Sequence, residues 1–280
     1  MSKTFMRGLG LLELIDLYGP LTVTELARRS GTDKSIVSRM ISSCEPDGWV
    51  VRSDGKLSLG PRAALLGHSS PAAATIRQAE PLVHAVAGVT GLLTQVYGLV
   101  GTSAVVLASA SGRGPSVPTG LGIDIPLYAT AGGKAVAAQL EDAELDQVLP
   151  PDPFPDAATE LLSLAGYPQA STAMFATPKE PLSASAAIAQ DRRQLAAQLD
   201  AVRLEGYAVD AGDFHPDLGC IAKPWPHPGI PTALACMGPP SELASGETLI
   251  KAALTAATSA GAKPEDIISS AAGAIRDSAE

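Results

Sequence analysis

Apolar residues recur along the first sixty positions at helical steps and then, briefly, at alternating ones. From Arg7 to Tyr18, Leu9, Leu12 and Ile15 line one face while Leu11 and Leu14 broaden it, which predicts an amphipathic helix ended by Gly19-Pro20. A short helix, Glu25 to Arg29, follows with Leu26 and Ala27 inward and Thr22 or Thr24 available as its cap. Ser30-Gly31-Thr32 comes next, and Gly31 tolerates the positive φ of a tight interhelical turn. Thr32 is expected to cap the next helix, 33–44, with Asp33 in its first turn and Val37, Met40, Ile41 and Cys44 as its apolar face. Pro46 stops it. Trp49 to Arg52 and Leu57 to Leu59 then read as strands around the Asp54-Gly55 turn.

Beyond the hairpin, Ala63 to Gly67 is a short helical piece. Ser70-Pro71 starts a helix, the Ala-rich stretch Ala72 to Glu80 reads as a linker helix with a flexible tether as the alternative, and Pro81 is expected to begin a further helix ending at Gly91. From Leu92 the period changes to two. Leu92 to Val100 and Ser103 to Ala110 form a hairpin, Gly112 to Gly122 a Gly/Pro/Ser-rich loop, and Ile125 to Tyr128 an extended segment. Thr130 caps a helix to about Leu140, and Glu141 to Leu149 is a short acidic helix. Pro150 to Pro155 is a loop, Ala157 to Ala165 helical, and Gly166 to Ser185 poorly patterned. Gln190 to Glu205 is a helix, followed by strands at Tyr207–Asp210, Gly219–Pro224 and Thr232–Met237. Helices at Glu242–Ala260 and Glu265–Arg276 close the chain. The expected class is α+β: domain 1–68, a linker helix region 69–90, and a domain 91–280 of helices around mostly antiparallel strands.

Two helices followed by a small hairpin make a winged helix-turn-helix. The polar face of helix 33–44 carries Lys34, Ser35, Ser38, Arg39 and Ser42, short donors plus two cations of the kind that base edges and phosphates accept. With Thr32 at the helix start, and Arg52 and Lys56 on the wing, these are the candidate DNA contacts. The net charge of −9 over 280 residues looks wrong for such a role until it is divided. Residues 1–68 hold nine Lys/Arg and seven Asp/Glu, a net of +2, and residues 69–280 hold eleven and twenty-two, a net of −11. The acidity therefore belongs to the second part. With so few cations per head, useful affinity calls for two heads per operator, hence a dimer.

Hydrophobic content of 46% supports a full core. No apolar run is long enough to span a membrane, and no signal peptide is expected, so the chain is expected in the cytoplasm. Three cysteines without CxxC spacing argue against a disulfide framework or zinc site.

Three stretches together resemble the IclR family of transcriptional regulators over nearly the whole chain. RGLGLLELI with LTVTELARRSGTDKSIVSRM resembles that family's winged reader, including the Ser35/Arg39 spacing; IPLYATAGGKAVAAQL and GYAVDAGDFHPDLGCIAKPW resemble its two effector-domain motifs. The resemblance implies a GAF-like domain binding a small carboxylic or aromatic effector, an antiparallel sheet flanked by helices, homodimers or homotetramers, and double-stranded operator DNA as partner. It also implies control of nearby catabolic genes, as repressor or activator. Carried over by position, the effector site involves Gly122, Leu127, Ala129, Thr130, Asp210, Cys220, Ala235 and Met237. Two of these depart from the pattern: Ala235 and Met237 stand where serines can bind a small acid, which favours a bulkier or more apolar ligand. Glu45-Pro46 also departs, at the end of the reading helix.

Competing chemistry is weak. Thr130 to Lys134 resembles a phosphate loop, but Tyr128 stands in place of the first Gly and Ala135 in place of the Ser/Thr; the favoured role for this helix start is accepting an effector carboxylate. Asp210, Asp213, His215 and Asp217 read as polar loop residues after a strand rather than metal ligands. Cys220 lacks a neighbouring base, and His84 and His227 stand alone. No catalytic set, metal site or cofactor is expected. The rival readings are a small-molecule binding protein or enzyme whose first module contacts proteins, and an architectural DNA protein without an effector.

Overall fold

A computed structural model of the chain describes residues 3–67, 70–112, 122, 124–156, 188–215, 217–227 and 229–277. The helix expected at Ala157–Ala165 and nearly all of the segments 112–122 and 166–185 lie outside them. The chain divides into two compact units, Met1–Ala74 and Thr75–Glu280.

The first unit is built from α1 (Lys3–Tyr18), β1 (Leu21–Thr22), α2 (Val23–Ser30), α3 (Lys34–Cys44), β2 (Val50–Ser53), β3 (Lys56–Leu59) and α4 (Pro61–Leu66). Thr22 and Glu25 form a capping box: the Glu25 N–H donates to Thr22 Oγ1 at 3.2 Å, and the Thr22 N–H donates to Glu25 Oε2 at 2.8 Å. Gly31 ends α2 in the left-handed conformation at φ 59°, and its N–H returns to the last turn. The cap of α3 differs from expectation. Asp33, not Thr32, accepts the Ser35 N–H at 2.7 Å, because its carboxylate also takes the Ser35 hydroxyl. The wing strands β2 and β3 pair antiparallel across Asp54-Gly55, both at positive φ, and β1 pairs with the far edge of β3. Leu11, Ile15, Leu21, Leu26, Val37, Ile41, Val50 and Leu57 make one buried core, to which every element but α4 contributes.

The second unit holds most of α5 (Pro71–Thr90), then β4 (Leu93–Val100), β5 (Ser103–Ala110), β6 (Asp124–Pro126), α6 (Ala131–Ala137), α7 (Asp142–Val148), α8 (Arg192–Glu205), β7 (Ala208–His215), β8 (Leu218–Trp225), β9 (Thr232–Gly238), α9 (Pro240–Ser245), α10 (Glu247–Ala257) and α11 (Pro264–Asp277). The described strands form one sheet in the order β6-β5-β4-β9-β8-β7, every neighbouring pair antiparallel. Its two faces bury different residues. Tyr97, Val106, Cys220, Ala222, Ala235 and Met237 pack beneath α6 and α8. Val96, Ala108, Ile221, Leu234 and Cys236 pack against α5, α10 and α11. The central strand β9 is buried at every residue, as the alternation of its neighbours between the two faces requires.

Three expectations are corrected here. The linker helix expected from Ser70-Pro71 is present, but residues 71–90 are one helix running through Pro81 rather than two helices divided there. Proline removes one backbone hydrogen bond there, but Ala79, Leu82, Val83, Val86 and Ala87 around it are core residues, and their burial offsets that loss. The closing segment from Glu242 breaks at Gly246 into α9 and α10. Asp213 and His215 lie within β7, which continues past Asp210 to His215, rather than in a loop beyond it.

Candidate functional site

The solvent face of α3 is the first candidate. Val37 and Ile41 turn into the core, which leaves Lys34, Ser35, Arg39 and Ser42 exposed and Ser38 half-buried. Positions 35, 39 and 42 recur at steps of four and three, so they share one helical face. Lys34, Arg39 and Lys56 enter none of the ion pairs found among the described residues. Thr32 is half-buried and its hydroxyl donates to the Ser30 carbonyl at 3.3 Å, so it belongs to the turn between the helices.

Arg52 behaves differently from the other wing cation. It forms a two-pronged pair with Glu45: Nε to Oε1 at 2.9 Å and Nη2 to Oε2 at 3.2 Å. The Arg52 hydrogen bond holds the Glu45 carboxyl below its ordinary range, and Glu45 in turn raises the guanidinium. Two further cations of this unit lie over aromatic rings, Arg29 over Tyr18 at 3.9 Å and Arg62 over Trp49 at 5.8 Å.

The second candidate lies on the sheet face beneath α6. Leu127, Ala129, Cys220, Ala235 and Met237 fall in one buried cluster, and register sets Asp210 opposite Cys220 and Cys220 opposite Met237. Thr130 stands at the start of α6. Gly122 differs: it is exposed, with its N–H donating to the Val106 carbonyl at 2.9 Å.

Sequence reasoning missed Gln95 and Tyr97 on β4. The Tyr97 hydroxyl donates toward Gln95 Oε1 at 2.6 Å and the Met237 sulfur at 3.1 Å, and both residues are buried. The available signal was a glutamine inside a strand whose other residues, Thr94 and Tyr97 apart, carry no polar side chain, a position that demands a polar partner. Burial pushes the Tyr97 phenol well above its usual range. It does the same to the Cys220 thiol, reinforced by the Asp210 carboxylate. Burial also pushes Cys236, on the opposite sheet face, up to about 12. Buried, protonated thiols of this kind are poor nucleophiles.

The start of α6 is not an open anion cradle. Thr130 Oγ1 accepts the Gly133 N–H at 3.1 Å, and the Gly132 N–H reaches the Cys220 sulfur. Lys134, which suggested a phosphate loop, is buried. A cavity of about 160 Å³ lies elsewhere, lined by Thr102, Leu127, Tyr128, Gln147 and Leu149 among others, and shares only Leu127 with the expected set. Among the described residues, no group of three or more His, Cys, Asp or Glu is arranged to hold a metal ion, and no helix is long and apolar enough to cross a membrane.

Comparison with known proteins gives matches to the first unit and to the fold of the whole chain. Residues 8–56 match the model of the MarR family. The HTH-type transcriptional regulator XynR of Escherichia coli K12 is 26% identical over 225 residues, 77% of this chain and 79% of that protein. Among solved structures, an IclR homologue from Microbacterium hydrocarbonoxydans, crystallised with 4-hydroxybenzoate, superposes with a TM-score of 0.60 at 20% identity, covering 98% of each chain. An IclR transcriptional regulator from Alicyclobacillus acidocaldarius gives 0.57 at 21%, covering all of this chain and 96% of that one. Thermotoga maritima IclR gives 0.54 at 20%, covering 98% of each.

Proposed function

We infer that this chain, which has the fold of the IclR-type transcriptional regulators, is a sequence-specific DNA-binding regulator controlled by a small-molecule effector. The observation that carries this reading is the exposed face of α3. A capped helix in a winged module presents two cations and three hydroxyls while its other face is locked in the core. In this reading α3 enters the major groove, where Lys34, Ser35, Ser38, Arg39 and Ser42 meet base edges and phosphates, and Lys56 meets the neighbouring backbone. The few cations of one head favour a dimer on two half-sites.

The effector is proposed to bind at the α6 face of the sheet, against Cys220, Met237, Tyr97 and Ala129. The chemistry there favours an aromatic or otherwise apolar molecule over a small carboxylate. Met237 and Ala235 offer no strong donor, two amide groups of α6 already have side-chain partners, and Asp210 adds negative charge nearby. Effector binding there shifts the population between operator-competent and incompetent forms through α5, whose residues line the opposite sheet face. No catalytic role is assigned.

Thermal shift with 4-hydroxybenzoate beside its neutral amide tests the ligand class. The amide should raise Tm more than the acid, and the same compound should alter operator affinity. A rise confined to the acid would overturn the ligand assignment; competitor-resistant DNA binding, measured on its own, tests the regulator.

A further inference from the structure

We propose that Glu45 is a positioning residue that withholds the wing cation Arg52 from DNA phosphates; the inference rests on the DNA-reading role of the first unit. Glu45 stands immediately after α3, in helical conformation, with its N–H bonded to the Ile41 carbonyl at 3.0 Å. Its carboxylate therefore projects from the end of the reading helix itself. Arg52 lies on β2 in register with Leu57, a core residue, so it sits on the face of the wing turned toward the helices. The paired geometry uses both carboxylate oxygens and two guanidinium nitrogens. Such a fork fixes direction as well as distance.

The consequence concerns charge. In this chain the wing holds one cation engaged by Glu45 and one, Lys56, outside any ion pair among the described residues. The pair carries no net charge, so it releases no counterion on meeting DNA. The side chains are 36% and 27% exposed, open enough for a phosphate to compete with the carboxylate once Glu45 is neutralised. Glu45 thus limits the sequence-independent part of the affinity, which phosphate contacts supply without any base information. It also ties the wing to the end of the helix that reads the bases.

The test compares the full chain, Glu45→Gln, Arg52→Gln and the double variant on a nonspecific duplex, by fluorescence anisotropy across a salt series. One added phosphate contact steepens the log–log salt slope by about 0.9 for each head engaged, so the gain from E45Q should be larger at about 50 mM salt than at about 200 mM by about threefold with one head on the duplex and about tenfold with two. In the Arg52→Gln background the same substitution should lose most of that gain. An unchanged slope in E45Q, with wild-type binding intact, overturns the assignment of Glu45. An equal gain in the Arg52→Gln background overturns it too, because removal of a nearby negative charge then suffices. A lower Tm without any slope change reduces Glu45 to a structural tie. Wild-type protein with no salt-dependent binding overturns the DNA reading itself.

Discussion

Replacing Gly132 by alanine should damage the second unit through a single contact. A Cβ built at Gly132 lies 2.7 and 2.8 Å from two carbons of the Tyr97 ring and 3.1 Å from a third. Tyr97 cannot swing aside cheaply, since it is 2% exposed and its hydroxyl is held by Gln95 and Met237. Overpacking of this kind costs about 1–3 kcal/mol. The gain from removing a glycine from a helix is at most about 1 kcal/mol, which against the middle of that range leaves a net loss of at least about 1 kcal/mol. Trp49 and Trp225 fall in different units, so a Trp49→Phe background lets Trp225 fluorescence report the second unit alone. At a urea m-value of about 2–3 kcal/mol/M for a unit of this size, the midpoint should fall by about 0.5 M. In a Tyr97→Leu background the ring is gone and Gly132→Ala should cost little. A midpoint at or above the parent's, or an undiminished loss in the Tyr97→Leu background, would refute the contact argument.

Further expectations concern the first unit and α5. Thr22→Ala removes one half of the capping box on α2 and should lower the head's stability by about 1 kcal/mol, measured on the isolated Trp49 signal. Hydrogen bonds from Thr22 hold the Glu25 carboxyl below its usual range, so its contribution is present above the ordinary glutamate pKa and fades as pH falls through the depressed one. The Tm gap between wild type and Glu25→Ala should accordingly close on acidification, and a gap independent of pH would contradict the cap. Arg39→Ala should weaken operator binding at least tenfold while leaving effector affinity unchanged; equal loss of both would mean the two functions are not divided between the units. His227 approaches Thr75 Oγ1 at 3.1 Å and Gln78 Oε1 at 2.7 Å. Its replacement by alanine should loosen the first turns of α5 by about 1 kcal/mol, seen as roughly fivefold faster amide exchange there and not in β9.

The first unit was legible because its signals are local. Thr22 as one of two candidate caps, Gly31, and Asp54-Gly55 each bear on backbone geometry within four residues; the structure turns at both glycines and chooses Thr22 over Thr24 through its bonds with Glu25. The error at Thr32 was also local: Thr32 and Asp33 both suit a cap, and only the extra bond that Asp33 accepts from the Ser35 hydroxyl decides between them. The continuity of α5 through Pro81 could not be read, because it depends on burial of Leu82, Val83 and Val86 against strands far along the chain. The same holds for the sheet-face site. Alternation showed that Ala235 and Met237 share a face, but which helix covers that face is a matter of topology. The roles of Tyr97 and Gly132 follow from a contact across 35 positions, and that of Glu45 from a side chain reaching the wing. Short-range chemistry was visible in the residues; pairwise chemistry across the fold was not.

The central claim is most directly tested by binding of the purified chain to the DNA upstream of its own gene, by fluorescence anisotropy over a salt series with excess nonspecific competitor. The account predicts competitor-resistant binding whose affinity falls linearly in log–log salt and drops at least tenfold in Arg39→Ala. Absence of competitor-resistant binding, both to that DNA and to a genome-wide fragment pool, would contradict it and leave the sheet-face site as the functional part of the chain.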